Sequence, residues 1–155
     1  MRILIMGLPG AGKTILANAL RQELDYRGFK TIWLNADRVR EEYNDWDFSH
    51  EGRIRQSKRM REMSGRIESD FVIADFVCPL QEMRDIYDAN FVVWVDTIDA
   101  GRFADTNSMF NPPQNWDVRV TSQNTEQWLP VILESLVVAY KRQITQELTR
   151  PNNDQ

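Results

Sequence analysis

GLPGAGKT, residues 7–14, is the stretch on which the fold of this chain turns. It sets Gly7, Gly12, Lys13 and Thr14 at the spacing GxxxxGK[ST], directly after the short apolar, β-branched run Arg2–Met6 and before a helical pattern. Gly7, Gly10 and Gly12 reach backbone conformations closed to residues with a Cβ, so successive N–H groups can turn inward around phosphate oxygens. Pro9 and Ala11 complete the loop. Lys13 is expected to meet the β and γ phosphates and Thr14 to ligate Mg²⁺, while the helix N-terminus adds a favourable dipole. The expectation is therefore ATP, with Mg²⁺ as cofactor, gripped by Gly7–Thr14; the alternative is an ordinary glycine turn between a strand and a helix.

Working outward, Ile15, Leu16, Ala19, Leu20 and Leu24 supply a helical face that Gly28 ends. A second strand is expected over Thr31–Leu34, a short helix over Val39–Tyr43 and a loop over Asn44–His50. Glu51–Ser69 carries Ile54, Met60, Met63 and Ile67 near helical spacing. FVIAD, residues 71–75, reads as a buried strand, the residues from Pro79 to Ala89 as a helix, and Phe91–Val95 as a fourth strand. Pro112 and Pro113 mark Asp105–Trp116 as an irregular segment, a lid or a surface loop. Asp117–Thr121 is the fifth strand. Thr125–Leu148 is the last helix, its apolar face made of Trp128, Ile132, Leu136, Val137, Tyr140 and Ile144, with Pro130 tolerable only near the first turn. Strands alternating with helices predict an α/β chain with the three-layer P-loop NTPase fold and a mostly parallel, five-stranded sheet buried on both faces.

The chain has 155 residues, 42% of them hydrophobic, enough for one core without disulfides or a structural metal. A net charge of -4 gives no reason to expect a nucleic-acid partner, although a local basic patch can still receive a phosphorylated ligand. Cys78 is the single cysteine. No apolar run approaches the roughly 18 residues of a membrane span, so a soluble, cytoplasmic protein is expected.

In a parallel sheet the carboxyl ends of the strands face the crevice that holds the phosphate loop, which brings Asp37, Asp75 and Asp96 into comparison. Asp37 is expected to orient or deprotonate an acceptor hydroxyl. Asp75, at the end of FVIAD, is expected to serve Mg²⁺ through water. Each could instead be a cap or loop residue, and for Asp96 that plainer reading leads, since Thr97 and Asp99 could be opening a helix. Arg40 shares a helical face with Asp37, and Arg53 begins a basic helix; together they could clamp an anionic acceptor, with Phe48 stacking on an aromatic one. For Arg55, Lys58 and Arg59 a solvated face is the expected reading. His50 reads as a loop or helix-start residue, and Cys78 as structural.

These residues resemble the adenylylsulfate kinase family over roughly residues 1–100. GLPGAGKT is similar to that family's GLSGAGKT and LNADRVR, residues 34–40, to its LDGDNVR. The resemblance implies that Asp37 lies at the acceptor hydroxyl and Arg40 near a substrate phosphate or sulfate. Phe48 and Ser49 resemble the family's FS pair, Arg53 its following arginine, and Gln56 stands for an asparagine three residues later. DFVCPLQEMR, residues 75–84, resembles SFISPYRxxR, which puts Val77, Cys78 and Pro79 on the acceptor-side loop and Arg84 on its later arginine. The chain departs from the family at Asn35, where the first aspartate stands, at Gly52, where an aspartate precedes the arginine, and at Asp75, where serine is usual. DTNSMFNPP, residues 105–113, also lacks the family's lid lysine.

The leading expectation is a P-loop kinase domain over residues 1–150, with residues 151–155 as a flexible tail, that moves the ATP γ-phosphate to the 3' hydroxyl of adenosine 5'-phosphosulfate. One alternative is a kinase for another nucleotide, nucleoside or nucleic-acid end; another is an ATP-binding switch or inactive homologue. The partner is expected to be a small molecule, a nucleotide, rather than a membrane. A homodimer is open, since the apolar face of Thr125–Leu148 could cover the sheet or meet a second copy.

Overall fold

A computed structural model describes residues 1–101 and 103–151. Five strands, β1 (Arg2–Met6), β2 (Thr31–Asn35), β3 (Phe71–Asp75), β4 (Phe91–Val95) and β5 (Val118–Val120), form one sheet in the order β2-β3-β1-β4-β5. All four pairings are parallel, where the sequence promised only a mostly parallel sheet. Parallel neighbours need crossovers, and these are supplied by α1 (Lys13–Tyr26), α2 (Ala36–Tyr43), α3 (His50–Arg66), α4 (Gln81–Tyr87) and α5 (Ala104–Met109), with α6 (Thr125–Thr149) closing the chain.

The period-2 alternation of the strands explains the three layers. Ile3, Ile5, Phe71, Ile73, Phe91, Val93, Val95, Val118 and Val120 point to one side, where Leu16, Leu20 and Leu24 of α1 and Ile132, Leu133 and Leu136 of α6 cover them. Leu4, Met6, Val72, Ala74 and Trp94 point to the other, under Val39, Met60, Met83 and Tyr87 from α2, α3 and α4. Both faces of β1 and β3 are thus removed from water, and the chain reverses direction across the sheet between them, which opens a crevice at their carboxyl ends.

Local signals set the helix ends. Gly28, at φ 90°, follows α1 in a Schellman arrangement in which Phe29 N donates to Leu24 O and Gly28 N to Asp25 O, both at 3.0 Å. Asn35 caps α2 by accepting from Arg38 N, Ser49 caps α3 by accepting from Gly52 N, and Asn124 caps α6 by accepting from Gln127 N.

Two expectations are corrected. The segment Asp105–Trp116 is not wholly irregular: α5 occupies its first part, and only the stretch around Pro112 and Pro113 lacks regular structure. Pro130 lies in the second turn of α6, not its first. Its missing N–H leaves the carbonyl four residues back, that of Glu126, without its helical partner, and both residues are exposed to solvent. The tail expected at 151–155 lies, beyond Pro151, outside the described residues.

Candidate active site

Gly7, Gly10 and Gly12 carry φ values of 154°, 87° and 103°. A Cβ on Gly7 would come 2.4 Å from the Val95 carbonyl oxygen, so glycine is needed there for close approach to β4. Gly12 is the N-cap of α1 and brings no capping side chain, which leaves the first-turn N–H groups for an anion. The loop is braced from behind. Thr97 Oγ1 donates to Ala11 O at 2.7 Å and Gln123 Nε2 to Gly10 O at 3.1 Å. Ala11 itself packs its methyl into the core and gives its N–H to Leu8 O, so it serves the loop's shape.

Lys13 is buried, and its ammonium donates to Leu8 O at 2.9 Å. Burial pulls its pKa below the ordinary lysine value, against the opposing fields of Asp75 and then Asp37. Asp75 is 3% exposed. Its Oδ2 accepts from Thr14 Oγ1 at 3.2 Å and from Asn35 Nδ2 at 3.0 Å. Burial raises its carboxyl pKa, while Lys13, Asn35 and Thr14 favour the ion. The Trp33 indole N–H, buried without a hydrogen-bond partner among the described residues, also favours the ion. Asp96 stands apart: it pairs with Arg119, whose Nε donates to Asp96 Oδ2 at 3.0 Å while its guanidinium lies over Trp94. Asp96 is thus a loop residue held in an ion pair, outside the cavity wall, and no helix opens at Thr97 or Asp99.

Across the crevice, α2 and α3 supply two buried guanidinium groups. Arg40, 4% exposed, donates from Nη1 to the carbonyls of Asp45 and Asp47 and lies 4.4 Å from the Phe48 ring centroid. Arg53, 8% exposed, donates from Nε to Phe48 O and from Nη2 to Thr106 Oγ1, both at 2.9 Å, and lies 5.3 Å from the same ring. Phe48 is thereby held between two cations with half its surface open. Among the described residues neither arginine forms an ion pair, nor does Lys13. Buried cations are costly, and one cavity here holds three of them, offset by hydrogen bonds to neutral oxygens and by nearby carboxylates that make no ion-pair contact among the described residues.

The loop that carries Phe48 is tied down by the basic helix. Arg55 Nε and Arg59 Nη2 grip Asp45 at 2.7 and 2.8 Å, and their hydrogen bonds, that of Arg55 first, hold the Asp45 carboxyl well below the usual carboxylate range. The expected solvated face is thus partly a clamp; Lys58 remains exposed. Gly52 lets the loop sit close, since a Cβ there would be 2.1 Å from the Asp47 carbonyl oxygen. Gly52→Ala is expected to cost about 1–3 kcal/mol by overpacking, read by denaturant unfolding, and to release Phe48; an unchanged midpoint would contradict the contact.

On the third side, Cys78 is 1% exposed at φ 48°, and burial pushes its thiol pKa up. Arg84 fixes this turn by donating to Cys78 O, Pro79 O and Asn111 O, which ties the loop after β3 to the segment after α5. Gln56 uses its amide on Ala36 O at 3.0 Å and accepts from Arg59, which places it in the support of α2 at the cavity wall.

One cavity of about 610 Å³ joins these parts. Pro9, Gly10, Lys13 and Thr14 line its phosphate-loop end; Asp37, Arg40, Phe48, Arg53, Gln56, Val77 and Cys78 line the other; Asp75 and Asn35 lie between. Gly7, Ala11 and Gly12 are not in its wall. Trp46, Phe103, Asp105 and Thr106 are, and the sequence reading did not assign them. Asp105 and Thr106 fall in the segment Asp105–Trp116, whose two prolines dominate its local signal and mark it as a lid or surface loop, and Phe103 lies just ahead of it.

Residues 1–98 match the family model for adenylylsulphate kinase. An adenylyl-sulfate kinase of Burkholderia ambifaria is 37% identical over 91 residues, 56% of this chain and 50% of that protein. One of Bacillus velezensis is 34% identical over 84 residues, 52% of this chain and 43% of that protein. The chain thus spans about half the length of the curated relatives it matches. Among solved structures, the Mycobacterium tuberculosis APS kinase in complex with AMPPNP and APS superposes with a TM-score of 0.75 at 21% identity, covering 88% of this chain and 96% of that one. Shikimate kinase from Aquifex aeolicus gives 0.62 at 17%, covering 89% and 97%. At these identities the two structures speak for the fold.

Proposed function

We propose, from the premise that this chain belongs to the adenylylsulphate kinase family, that it transfers the γ-phosphate of ATP to the 3' hydroxyl of adenosine 5'-phosphosulfate. The observation that carries the proposal is the single cavity in which a phosphate loop faces two buried arginines with no carboxylate in ion-pair contact among the described residues. Such a pair is suited to an anionic acceptor whose phosphosulfate would take the free N–H groups of Arg40 and Arg53. The adenine would stack on Phe48, already polarised by both guanidinium groups.

In this reading Asp37, which lines the cavity from the first turn of α2, accepts the proton of the attacking hydroxyl. Lys13 leaves Leu8 O for the transferring phosphoryl group, and the open N-terminus of α1 holds the remaining phosphate oxygens. The residues fit Mg²⁺: Thr14 hydroxyl and Asp75 carboxylate are hard oxygen donors in contact at 3.2 Å, with Asp75 acting through water. When bound, the ion supplies charge neutralisation at the β and γ phosphates. A cytoplasmic setting agrees with Cys78, a buried thiol that needs no oxidising compartment.

A second reading, a kinase for a different nucleotide, is favoured by α5. It brings Thr106 onto Arg53 and places Asp105 in the cavity wall, so an acidic residue stands close to the arginine meant for an anion. Arg53→Ala separates acceptor from donor effects. It is expected to raise KM for the phosphosulfate acceptor by roughly 10- to 100-fold, the worth of a charge-assisted hydrogen bond, and to leave KM for ATP within twofold in initial-rate kinetics. An equal rise for ATP would remove Arg53 from the acceptor site.

A further inference from the structure

Asn35 stands at the end of β2, opposite Asp75 in the register of β2 and β3, and it uses both ends of its amide. Its Oδ1 accepts from Arg38 N at 3.2 Å and so caps α2, the helix that begins at Ala36 and carries Asp37 and Arg40. Its Nδ2 donates to Asp75 Oδ2 at 3.0 Å, on the same oxygen that receives the Thr14 hydroxyl. The amide lines the cavity between the phosphate-loop end and the acceptor end.

We propose that Asn35 is a positioning residue that aims the Asp75 carboxylate at the Thr14 end of the cavity and fixes its distance from Asp37. The inference rests on the kinase reading for its catalytic consequence, but its geometry is independent of it. Only a side chain with one donor and one acceptor can do both jobs here. Serine keeps the cap yet is too short to bridge to the neighbouring strand. Aspartate keeps the cap but sets a second acceptor-only group against Asp75 Oδ2, where two carboxylates repel. Reversing the pair, with Asp at 35 and Asn at 75, keeps the cap to Arg38 N and an amide-to-carboxylate bond across β2 and β3, while the amide nitrogen that takes the place of Oδ2 meets the Thr14 hydroxyl as a donor and reverses that bond.

The test is a double-mutant cycle of Asn35→Asp, Asp75→Asn and the exchanged pair, with Asn35→Ser as the variant that preserves the cap. Thermal unfolding of the protein without nucleotide or Mg²⁺ reads the pairing itself. Asn35→Asp is expected to lower Tm by several degrees, and the exchange to restore it to within about a degree or two. With Mg²⁺ and ATP, Asn35→Ser is expected to lower kcat at least tenfold while KM for ATP stays within twofold, and the exchange, which moves the carboxylate off position 75, to stay as impaired as Asp75→Asn. An exchanged protein no more stable than Asn35→Asp, or a native kcat in Asn35→Ser, overturns the proposal. If the native protein transfers phosphate to no acceptor, the kinase reading fails while the unfolding arm still decides whether Asn35 and Asp75 act as a pair.

Discussion

Lys13→Ala is expected to lower the rate of phosphate transfer by at least roughly 10²- to 10³-fold, the cost of removing one preorganised charge from a developing transition state. Lys13 sits at the first position of α1, buried, with no carboxylate in ion-pair contact among the described residues, and its ammonium rests on a backbone carbonyl of its own loop. That resting contact is weak enough to exchange for phosphate oxygens, and burial has already stripped the ammonium of most of its water. Alanine removes the charge and leaves the backbone cradle of Gly7–Thr14 in place. Nucleotide binding should therefore weaken less than turnover, a split that single-turnover measurements with labelled ATP can read. Near-native turnover in this variant would remove Lys13 from the transfer step.

Asp37→Asn is expected to be the second largest loss, about 10²- to 10⁴-fold in kcat, if the carboxylate takes the acceptor proton. Asp37 is exposed to the cavity from the first turn of α2, and its field reaches both Lys13 and Arg40. An amide of the same shape cannot accept a proton, yet it disturbs neither the cap at Asn35 nor the packing of Val39. ATP affinity and thermal stability should stay near native. A parallel fall in both would mean that Asp37 supports the fold rather than the reaction.

The strands and the phosphate loop were legible because each rests on a short-range signal. β1 and β4 follow their apolar runs to the residue, and FVIAD is buried throughout because it lies between two parallel neighbours. The loop residues Gly7, Gly10 and Gly12 announce positive φ by lacking a Cβ. What stayed hidden depends on contacts distant in sequence. Arg55 and Arg59 look like surface charge until the fold brings Asp45 to them, and Thr106 has no local mark of its bond to Arg53, 53 residues away. α5 was obscured by the prolines that follow it, and Pro130 by the rule that proline starts helices, which an exposed second-turn position escapes. Asn35 was noted only as a departure, since its hydrogen bond to Asp75 exists only once β2 lies beside β3.

The acceptor is the centre of the account, and one assay addresses it directly: purified protein with Mg²⁺ and γ-labelled ATP, offered adenosine 5'-phosphosulfate beside other nucleotides and nucleosides. Label appearing on the 3' position of adenosine 5'-phosphosulfate, at a kcat/KM well above that for every other acceptor, is the predicted result. Label on another acceptor in preference, or ATP turnover with no labelled sulfur nucleotide, would contradict it.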